Sequence, residues 1–321
     1  FLRDLLYDEG VLRSHKVSVP TVCVGNLAVG GTGKTPHVMM IAEALCDNLK
    51  VGVLSRGYKR KTKGFRLVGP DDTALTVGDE PLEIYRRVGE KVMVAVAENR
   101  VRGIKKMLEA EPELDVVLLD DGFQHRRLSC GLYILLTAAD NIYTNDRLLP
   151  WGSLRENRWG ALRANMIVVS KCADDMRPID KRIIETSLHL PTYQNLYFSY
   201  IEYDDIPDTV NPLLLTGIAD AEPLANYLKK RYPQLVEFRR GDHHRYTRRD
   251  MDKLLSLYQT KHCDAVLTTR KDMMRLEADR ILPEQLKDKV HPVNFKVTLK
   301  QQEQSFINQI IQYVKENNRN C

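Results

Sequence analysis

A glycine-rich segment that ends in lysine and threonine is the part of the sequence with the clearest chemical meaning. It runs from Val24 to Pro36 and reads VGNLAVGGTGKTP. Glycines let the backbone turn so that successive N–H groups point at phosphate oxygens, and a helix beginning there adds partial positive charge. The lysine reaches the β- and γ-phosphates, and the next hydroxyl binds Mg²⁺. The residues predicted to hold a nucleoside triphosphate are Gly30, Gly31, Thr32, Gly33, Lys34 and Thr35.

The segment departs from the usual phosphate-loop pattern at one position. In G-x-x-x-x-G-K-[ST] the first glycine would stand at 28, where this chain has Ala28. The alternative interpretation is an ordinary glycine turn between a strand and a helix. The second glycine run and the Lys-Thr pair between a strand and a helix favour phosphate binding.

Two adjacent carboxylates follow a buried strand further along the chain. Val116–Leu119 is apolar throughout and leads into Asp120 and Asp121. The carboxyl ends of parallel strands are where ligands of open α/β sheets bind, so these acids are expected beside the phosphate loop. An Asp-Gly turn is the alternative. Next to a phosphate loop, a magnesium site formed by Thr35, Asp120 and Asp121 is favoured.

An aspartate and two histidines are further candidates with plain structural alternatives. Asp79 precedes a predicted helix, where capping the helix is its ordinary role. His243 and His244 lie in a loop before the capping-box pattern Thr247-x-x-Asp250, and paired loop histidines are usually solvated. On the residues alone, the structural interpretations are favoured.

The elements around these residues predict an α/β fold with two domains. Strands rich in valine, isoleucine and leucine alternate with helices, which indicates a mainly parallel sheet covered on both faces. The predicted strands include Val51–Ser55 and Val116–Asp120 in the first domain and Val290–Phe295 in the second. A second, smaller α/β unit is expected after Pro191. The predicted division is 1–194 for the nucleotide-binding domain and 195–321 for the second domain, although the last helix, Gln301–Asn317, fits either.

Composition excludes several classes of protein. The 321 residues include 48 Lys+Arg and 43 Asp+Glu, and the resulting charge of +5 is too small to predict a nucleic-acid partner. With 43% hydrophobic residues the chain is globular, and six scattered cysteines favour a reducing compartment. No apolar run is long enough to span a bilayer. The chain begins at Phe1 rather than Met, so a native leader is expected to be missing.

Several motifs in fixed order resemble one enzyme family. The chain is similar to the tetraacyldisaccharide 4′-kinases, the phosphate-loop enzymes that make the 4′-phosphate of lipid A. The shared segments, spread over nearly the whole chain, are Gly25-Asn26 through Thr35-Pro36, Ser55–Tyr58, Gly78–Pro81, Asp120–His125, Leu149–Glu156, Thr216–Ala219, Asp242–His244, and Thr268-Thr269 with Lys271-Asp272. The family's hydrophobic N-terminal segment is not among them.

The resemblance implies an activity and roles for named residues. It implies ATP with Mg²⁺ and an acylated disaccharide phosphate lipid as acceptor. It assigns Asp79 a catalytic role with His243 or His244, of which His244 is preferred. A histidine held by a carboxylate can take the acceptor's hydroxyl proton at neutral pH. Glu80 is expected to help hold Mg²⁺ through water, and Lys34 to neutralise phosphoryl charge. Closure of the second domain over ATP is expected to assemble the site.

The resemblance also implies a place of action. Peripheral attachment to the cytoplasmic face of the bacterial inner membrane is expected, with an anionic membrane surface as partner and no obligate protein partner. Two segments suit that surface but have ordinary alternatives. The N-terminal helix at Phe1–Leu6 fits packing on its own domain equally well, and the basic run Arg56–Arg66 fits a solvated loop.

Two other functions remain alternatives. The first is an assembly or metallochaperone ATPase of the Gly-Gly-x-Gly-Lys-Thr type, which usually carries a Cys or His tract that this sequence lacks. The second is a nucleic-acid-stimulated ATPase, which the modest charge disfavours. GTP is disfavoured because Ser170–Asp174 only approximates the guanine-reading motif.

Overall fold

The computed structural model describes residues 2–204, 206–218, 221–241, 244–279 and 281–318. The α-helices are α1 Leu2–Asp8, α2 Lys34–Leu45, α3 Ala74–Val77, α4 Asp79–Val88, α5 Arg100–Ala110, α6 Pro178–Leu188, α7 Glu222–Arg231, α8 Arg248–Thr260, α9 Arg270–Asp279 and α10 Glu303–Asn318. The strands are β1 Thr21–Asn26, β2 Val51–Ser55, β3 Arg66–Leu67, β4 Val92–Val96, β5 Val116–Asp120, β6 Leu132–Ala138, β7 Met166–Cys172, β8 Asn195–Tyr203, β9 Pro212–Thr216, β10 Val236–Arg239, β11 Ala265–Thr269, β12 Val290–Val293 and β13 Phe295–Thr298.

The first of two compact units comprises Phe1–Ile201 and Val297–Cys321. Its sheet has nine strands among the described residues, in the order β13-β8-β7-β6-β1-β5-β2-β4-β3. From β8 to β4 neighbouring strands pair in parallel, and the short edge strand β3 is antiparallel to β4. Strand β1 is central and lies between β5 and β6. This mainly parallel sheet confirms the predicted α/β phosphate-loop fold.

Both faces of this sheet are buried, which explains its continuous apolar strands. Successive side chains of a strand point to opposite faces. In β5, Val116 and Leu118 join one apolar core, whereas Val117 and Leu119 join the core on the other face. All four are fully buried. A sheet covered on one face would instead require polar residues at alternate positions.

The C-terminal helix α10 belongs to the first unit. Phe306, Ile310 and Val314 are fully buried and join the same core as Val22 of β1. The Tyr313 hydroxyl also donates a hydrogen bond to the Thr21 carbonyl, at 3.2 Å. The division by contacts therefore differs from the predicted 1–194 and 195–321, because this apolar helix face packs against the larger sheet's core.

The second unit, Glu202–Lys296, has its own sheet and core. Its four described strands are parallel, in the order β10-β9-β11-β12. Leu213 and Leu215 face one apolar cluster and Leu214 faces the other. The predicted single strand Val290–Phe295 is wrong: it is interrupted at Asn294, and β12 and β13 belong to different sheets.

No helix within the described residues has the length and apolar character needed to cross a membrane.

Candidate active site

The glycine-rich loop joins the carboxyl end of β1 to the start of α2. Gly30 and Gly33 have φ of 117° and 82°, in the region that favours glycine. A Cβ at Gly30 or Gly31 would meet no atom within 4 Å, so this side of the loop faces open space. Gly33 precedes α2 and forms no side-chain cap, which leaves the N–H groups of the first turn to bind an anion.

Ala28 fits its position for a local reason. It forms an antiparallel bridge with Leu154, and its φ is not positive. The Val29 N–H also donates to the Ser153 carbonyl at 2.7 Å. Since the backbone here is ordinary and paired, no glycine is required. The departure from the usual pattern is therefore compatible with the loop.

Asn26, at the end of β1, organises the side chains beside the loop. It is fully buried; its amide donates to Thr32 Oγ1 at 2.9 Å, and its Oδ1 accepts from Lys34 Nζ at 3.3 Å. Arg155 also donates to Oδ1. Asn26 and Arg155 lie in the motifs of the sequence analysis, but only the structure shows that Asn26 holds Lys34 and that Arg155 bonds Asn26.

Lys34 lies among the predicted acids. Its Nζ is 3.8 Å from Asp121, and Arg155 lies 3.1 Å from the same carboxylate. Burial lowers the pKa of Lys34, and the negative charge of Asp121 partly offsets this shift. For Asp121, burial acts to raise the pKa, but Lys34 and Arg155 hold it below its ordinary value. Lys34 and Asp121 are therefore brought together as predicted.

Asp120 is buried and incompletely bonded. The Ser55 hydroxyl donates to its Oδ2 at 3.4 Å, whereas its buried Oδ1 has no hydrogen-bond partner. Burial, followed by repulsion from Asp121 and Glu80, raises the pKa of Asp120 to about 7. An orphaned buried carboxylate oxygen among acids is a fitting ligand for a cation.

A magnesium ion fits this set of groups. Among the described residues there is no cluster of three or more His, Cys, Asp and Glu side chains suited to a metal. Mg²⁺ is commonly held by only one or two carboxylates together with substrate phosphates and water. Asp120 supplies an unpartnered oxygen, and Thr35 supplies a hydroxyl on the first turn of α2.

Asp79 is the first residue of helix α4. The helix cap is Gly78, at φ 98°, so Asp79 does not take the capping role that its position suggested. A Cβ at Gly78 would lie 3.1 Å from the Tyr58 carbonyl and 3.2 Å from Gly57. This close approach fixes the start of α4 against the loop after β2. Its neighbour Glu80 contributes to the electrostatics of both Asp120 and Lys34.

Two residues that support the phosphate loop escaped the sequence analysis. His37 donates from Nδ1 to the Gly33 carbonyl at 2.7 Å, while its Nε2 lies 2.9 Å from Ser199 Oγ of β8. Burial lowers the pKa of His37 to about 4, so the ring is neutral. The carbonyl can only accept, so Nδ1 carries the proton and Ser199 donates to Nε2. The four-residue spacing from Gly33 was the available signal.

His125 is held close to the same edge of the sheet. The Arg100 N–H donates to its Nε2 at 3.4 Å. Burial, together with Arg100 and Arg56, lowers the pKa of His125 to about 4. It is therefore neutral at physiological pH, and because Nε2 accepts from Arg100, Nδ1 carries the proton.

Of the two predicted histidines, His244 belongs to the second unit. His243 lies outside the described residues. His244 Nε2 lies 3.1 Å from Asp250 Oδ2, and Asp250 also accepts from the Thr247 hydroxyl at 2.8 Å. Within its own unit, the carboxylate that orients His244 is therefore the acid of the predicted capping box.

The two predicted membrane-facing segments are partly committed to internal contacts. In the basic run, Arg60 pairs with Glu98 at 2.6 Å and Arg66 with Asp72 at 2.6 Å. In α1, Asp8 pairs with Arg126 at 2.7 Å. Leu5 of α1 remains 43% exposed. Both segments thus have structural roles, and neither is devoted to a surface alone.

Comparison with known proteins gives matches over the whole chain. The profile of the tetraacyldisaccharide-1-P 4′-kinase family, LpxK, matches residues 1–315. The tetraacyldisaccharide 4′-kinase of Bacteroides thetaiotaomicron is 41% identical, over 99% of this chain and 90% of that protein. The protein of the same name from Flavobacterium johnsoniae is 37% identical, over 98% and 93%. The crystal structure of Aquifex aeolicus LpxK in complex with ATP gives a TM-score of 0.73 at 29% identity, covering 98% of this chain and 94% of that chain.

Proposed function

The chain belongs to the tetraacyldisaccharide-1-P 4′-kinase family, and from that premise we propose the reaction that it catalyses. It transfers the γ-phosphoryl group of ATP to the 4′-hydroxyl of tetraacyldisaccharide 1-phosphate, a step of lipid A biosynthesis that gives lipid IVA. The observation that carries this proposal is the placement of Lys34 Nζ 3.8 Å from Asp121, beside Asp120, whose buried Oδ1 has no hydrogen-bond partner, at the open glycine loop. A kinase that handles a triphosphate with Mg²⁺ needs this charge arrangement.

The loop and its lysine bind and orient the triphosphate. The first-turn N–H groups of α2 donate to phosphate oxygens, and Lys34 neutralises charge on the transferring group. Lys34 is held by Asn26 and Asp121, so little reorganisation is required during the reaction. Thr35 and Asp120 would hold Mg²⁺, with Asp121 and Glu80 adding negative charge close by. When bound, this ion neutralises the β- and γ-phosphate oxygens.

Removal of the acceptor proton is assigned to Asp79 with a histidine of the Asp242–His244 loop. Support comes from the placement of Asp79 at the start of α4, next to Glu80. It also comes from His244, whose ring is oriented by Asp250 in the second unit. An imidazole with a carboxylate partner accepts a proton near neutral pH. His244 is the preferred base, and His243 is the other candidate.

The enzyme's lipid acceptor favours peripheral action at the cytoplasmic face of the inner membrane. The proposed partner there is an anionic lipid surface. The full-length family match gives no support to the metallochaperone-type alternative.

The decisive experiment measures ATP consumption with and without a detergent-dispersed acylated disaccharide 1-phosphate. We expect turnover only with the lipid, and transfer of labelled phosphate to it. An Asp79→Asn variant should lose transfer while still binding ATP. ATP hydrolysis that is indifferent to the lipid would refute the proposed function and favour a switch ATPase.

A further inference from the structure

The chain's tryptophans are both exposed on one short segment. Trp151 and Trp159 are the only two in 321 residues, and they are 82% and 67% exposed. Tryptophan is normally among the most buried side chains on average. Three exposed leucines of the same segment accompany them, and together these residues form what we call the Trp surface: Leu148, Leu149, Trp151, Trp159 and Leu162.

Part of the Trp surface forms an open groove. Leu148, Trp151 and Leu154 line a depression of about 630 Å³, and Arg147 and Arg158 lie at the same groove. Both arginines are exposed. Indole and leucine side chains bordered by guanidinium groups form a surface suited to the boundary between acyl chains and lipid headgroups.

The charge of this segment has one sign at the surface. Glu156 is the only acidic residue within 147–163, and it is 3% exposed and paired with Arg163 at 2.8 Å. Asp146, just before the segment, also lines the groove, and its carboxylate accepts hydrogen bonds from the Ser153 N–H and the Arg147 N–H. The exposed charges of 147–163 are therefore positive, which complements an anionic partner.

A second copy of the chain is a poorer occupant than a membrane. A twofold interface places the same patch against itself, so arginines of one copy would approach those of the other. Apolar exposure combined with a net positive charge instead matches an anionic bilayer.

The segment is attached directly to the phosphate loop. Val29 N–H donates to the Ser153 carbonyl, and Arg155 N–H donates to the Leu27 carbonyl, each at 2.7 Å. Val29 itself is 54% exposed. Two backbone hydrogen bonds therefore join the segment that carries the Trp surface to the loop that forms the triphosphate site.

We propose that the Trp surface, with Arg147 and Arg158, docks the enzyme on the anionic bilayer from which its lipid acceptor comes. This inference rests on the proposed function for the acceptor, and it assigns membrane contact to a surface other than α1 or the basic run. The docked face presents the phosphate loop toward the lipid, so binding and acceptor delivery share one side of the first unit.

The two tryptophans provide a direct test. The protein is mixed with phosphatidylethanolamine–phosphatidylglycerol vesicles whose acyl chains carry bromine. We expect a blue shift of tryptophan emission and quenching by the bromine. Because α1 contains no tryptophan, vesicle binding without quenching would show that another segment docks and would overturn the inference. Unchanged emission with no vesicle binding would overturn it as well.

Variants separate the apolar and charged contributions. Trp151→Ala should weaken cosedimentation with these vesicles by about tenfold, corresponding to about 1.4 kcal/mol. Arg158→Gln should weaken it about fivefold, and should have no effect with phosphatidylcholine vesicles. The matched control is Ile183→Ala in α6, since Ile183 is 62% exposed in the same unit. Equal losses in the control and in Trp151→Ala would contradict the assignment.

Activity measurements keep this inference distinct from the proposed function. With detergent-dispersed acceptor, Trp151→Ala should match the unmodified enzyme, whereas with vesicle-embedded acceptor its turnover should fall about tenfold, as its binding does. Equal activity on vesicles would overturn the docking role and leave the kinase assignment intact. Failure of the unmodified enzyme to phosphorylate dispersed acceptor would refute the kinase assignment whatever the vesicles show.

Discussion

Replacing His37 by asparagine tests how the phosphate loop is supported. Asparagine can still donate to the Gly33 carbonyl, but it is too short to replace the bond with Ser199. The loss leaves a buried hydroxyl without its partner, which costs about 1–3 kcal/mol. Because Gly33 still has an anchor, ATP affinity should fall less than it does in His37→Phe, where both bonds are lost.

The dependence of stability on pH gives the sharper test of the His37 environment. Burial lowers the pKa of this imidazole from 6.5 to about 4. On acidification the unfolded chain binds a proton first, so stability is present above pH 6.5 and is lost as the pH falls toward 4. Between pH 7.5 and 5 the loss is about 2 kcal/mol for this group. His37→Asn should lack that component.

The assay compares denaturant midpoints of the native and His37→Asn proteins at pH 7.5 and pH 5, with NMR titration of the imidazole in the native enzyme. His125→Asn serves as the control, because the pKa of His125 is also lowered to about 4. Comparison of the two variants shows how much of the stability lost between pH 7.5 and pH 5 comes from each imidazole ring. An ordinary titration of the His37 resonance near pH 6.5 would refute the buried, neutral ring and the tautomer that follows from it.

Three further predictions concern the site. Lys34→Ala should weaken ATP binding and cut turnover at least about a hundredfold, whereas Asp79→Asn should cut turnover similarly with ATP affinity retained. Calorimetric titration with ATP distinguishes the two variants, and equal losses of affinity would contradict the division of roles. Asp120→Asn should abolish the dependence of turnover on Mg²⁺. It should also raise the free energy of unfolding at pH 8 by up to about 4 kcal/mol, because burial raises the pKa of Asp120 to about 7 and disfavours its charged form. Gly33→Ala places a side chain at φ 82°, and the resulting strain of about 1–2 kcal/mol should lower ATP affinity about tenfold. The control Gly69→Ala should leave ATP affinity unchanged, because that position has open space and no positive φ.

The strands around the site were predictable because their information is local. Val51–Ser55 and Val116–Asp120 have the predicted bounds, since a run of apolar residues ends abruptly in a polar one. The glycines and Lys34 similarly define a phosphate loop through backbone conformation and charge. The family resemblance, carried by ordered motifs, added the acceptor and the reaction.

Other features depend on residues far apart in the chain. Val290–Phe295 has the composition of one strand, but its two halves join different sheets, and only the partner strands decide this. Helix α10 is amphipathic in either domain, and the placement of Phe306 against the core of the larger sheet settles its membership. Roles for Asp79, His243 and His244 remain proposals that rest on the resemblance.

The sequence by itself determined which functional groups are present: a triphosphate-binding loop, two carboxylates after a strand, and the motifs of a lipid kinase. The tertiary structure decided the state of those groups. Asp120 has a raised pKa because the fold buries it among acids, and His37 is neutral because the fold buries its ring, whose Nε2 is bonded to Ser199, 162 residues away. Burial and long-range contacts set these properties, and a local pattern of residues does not contain them.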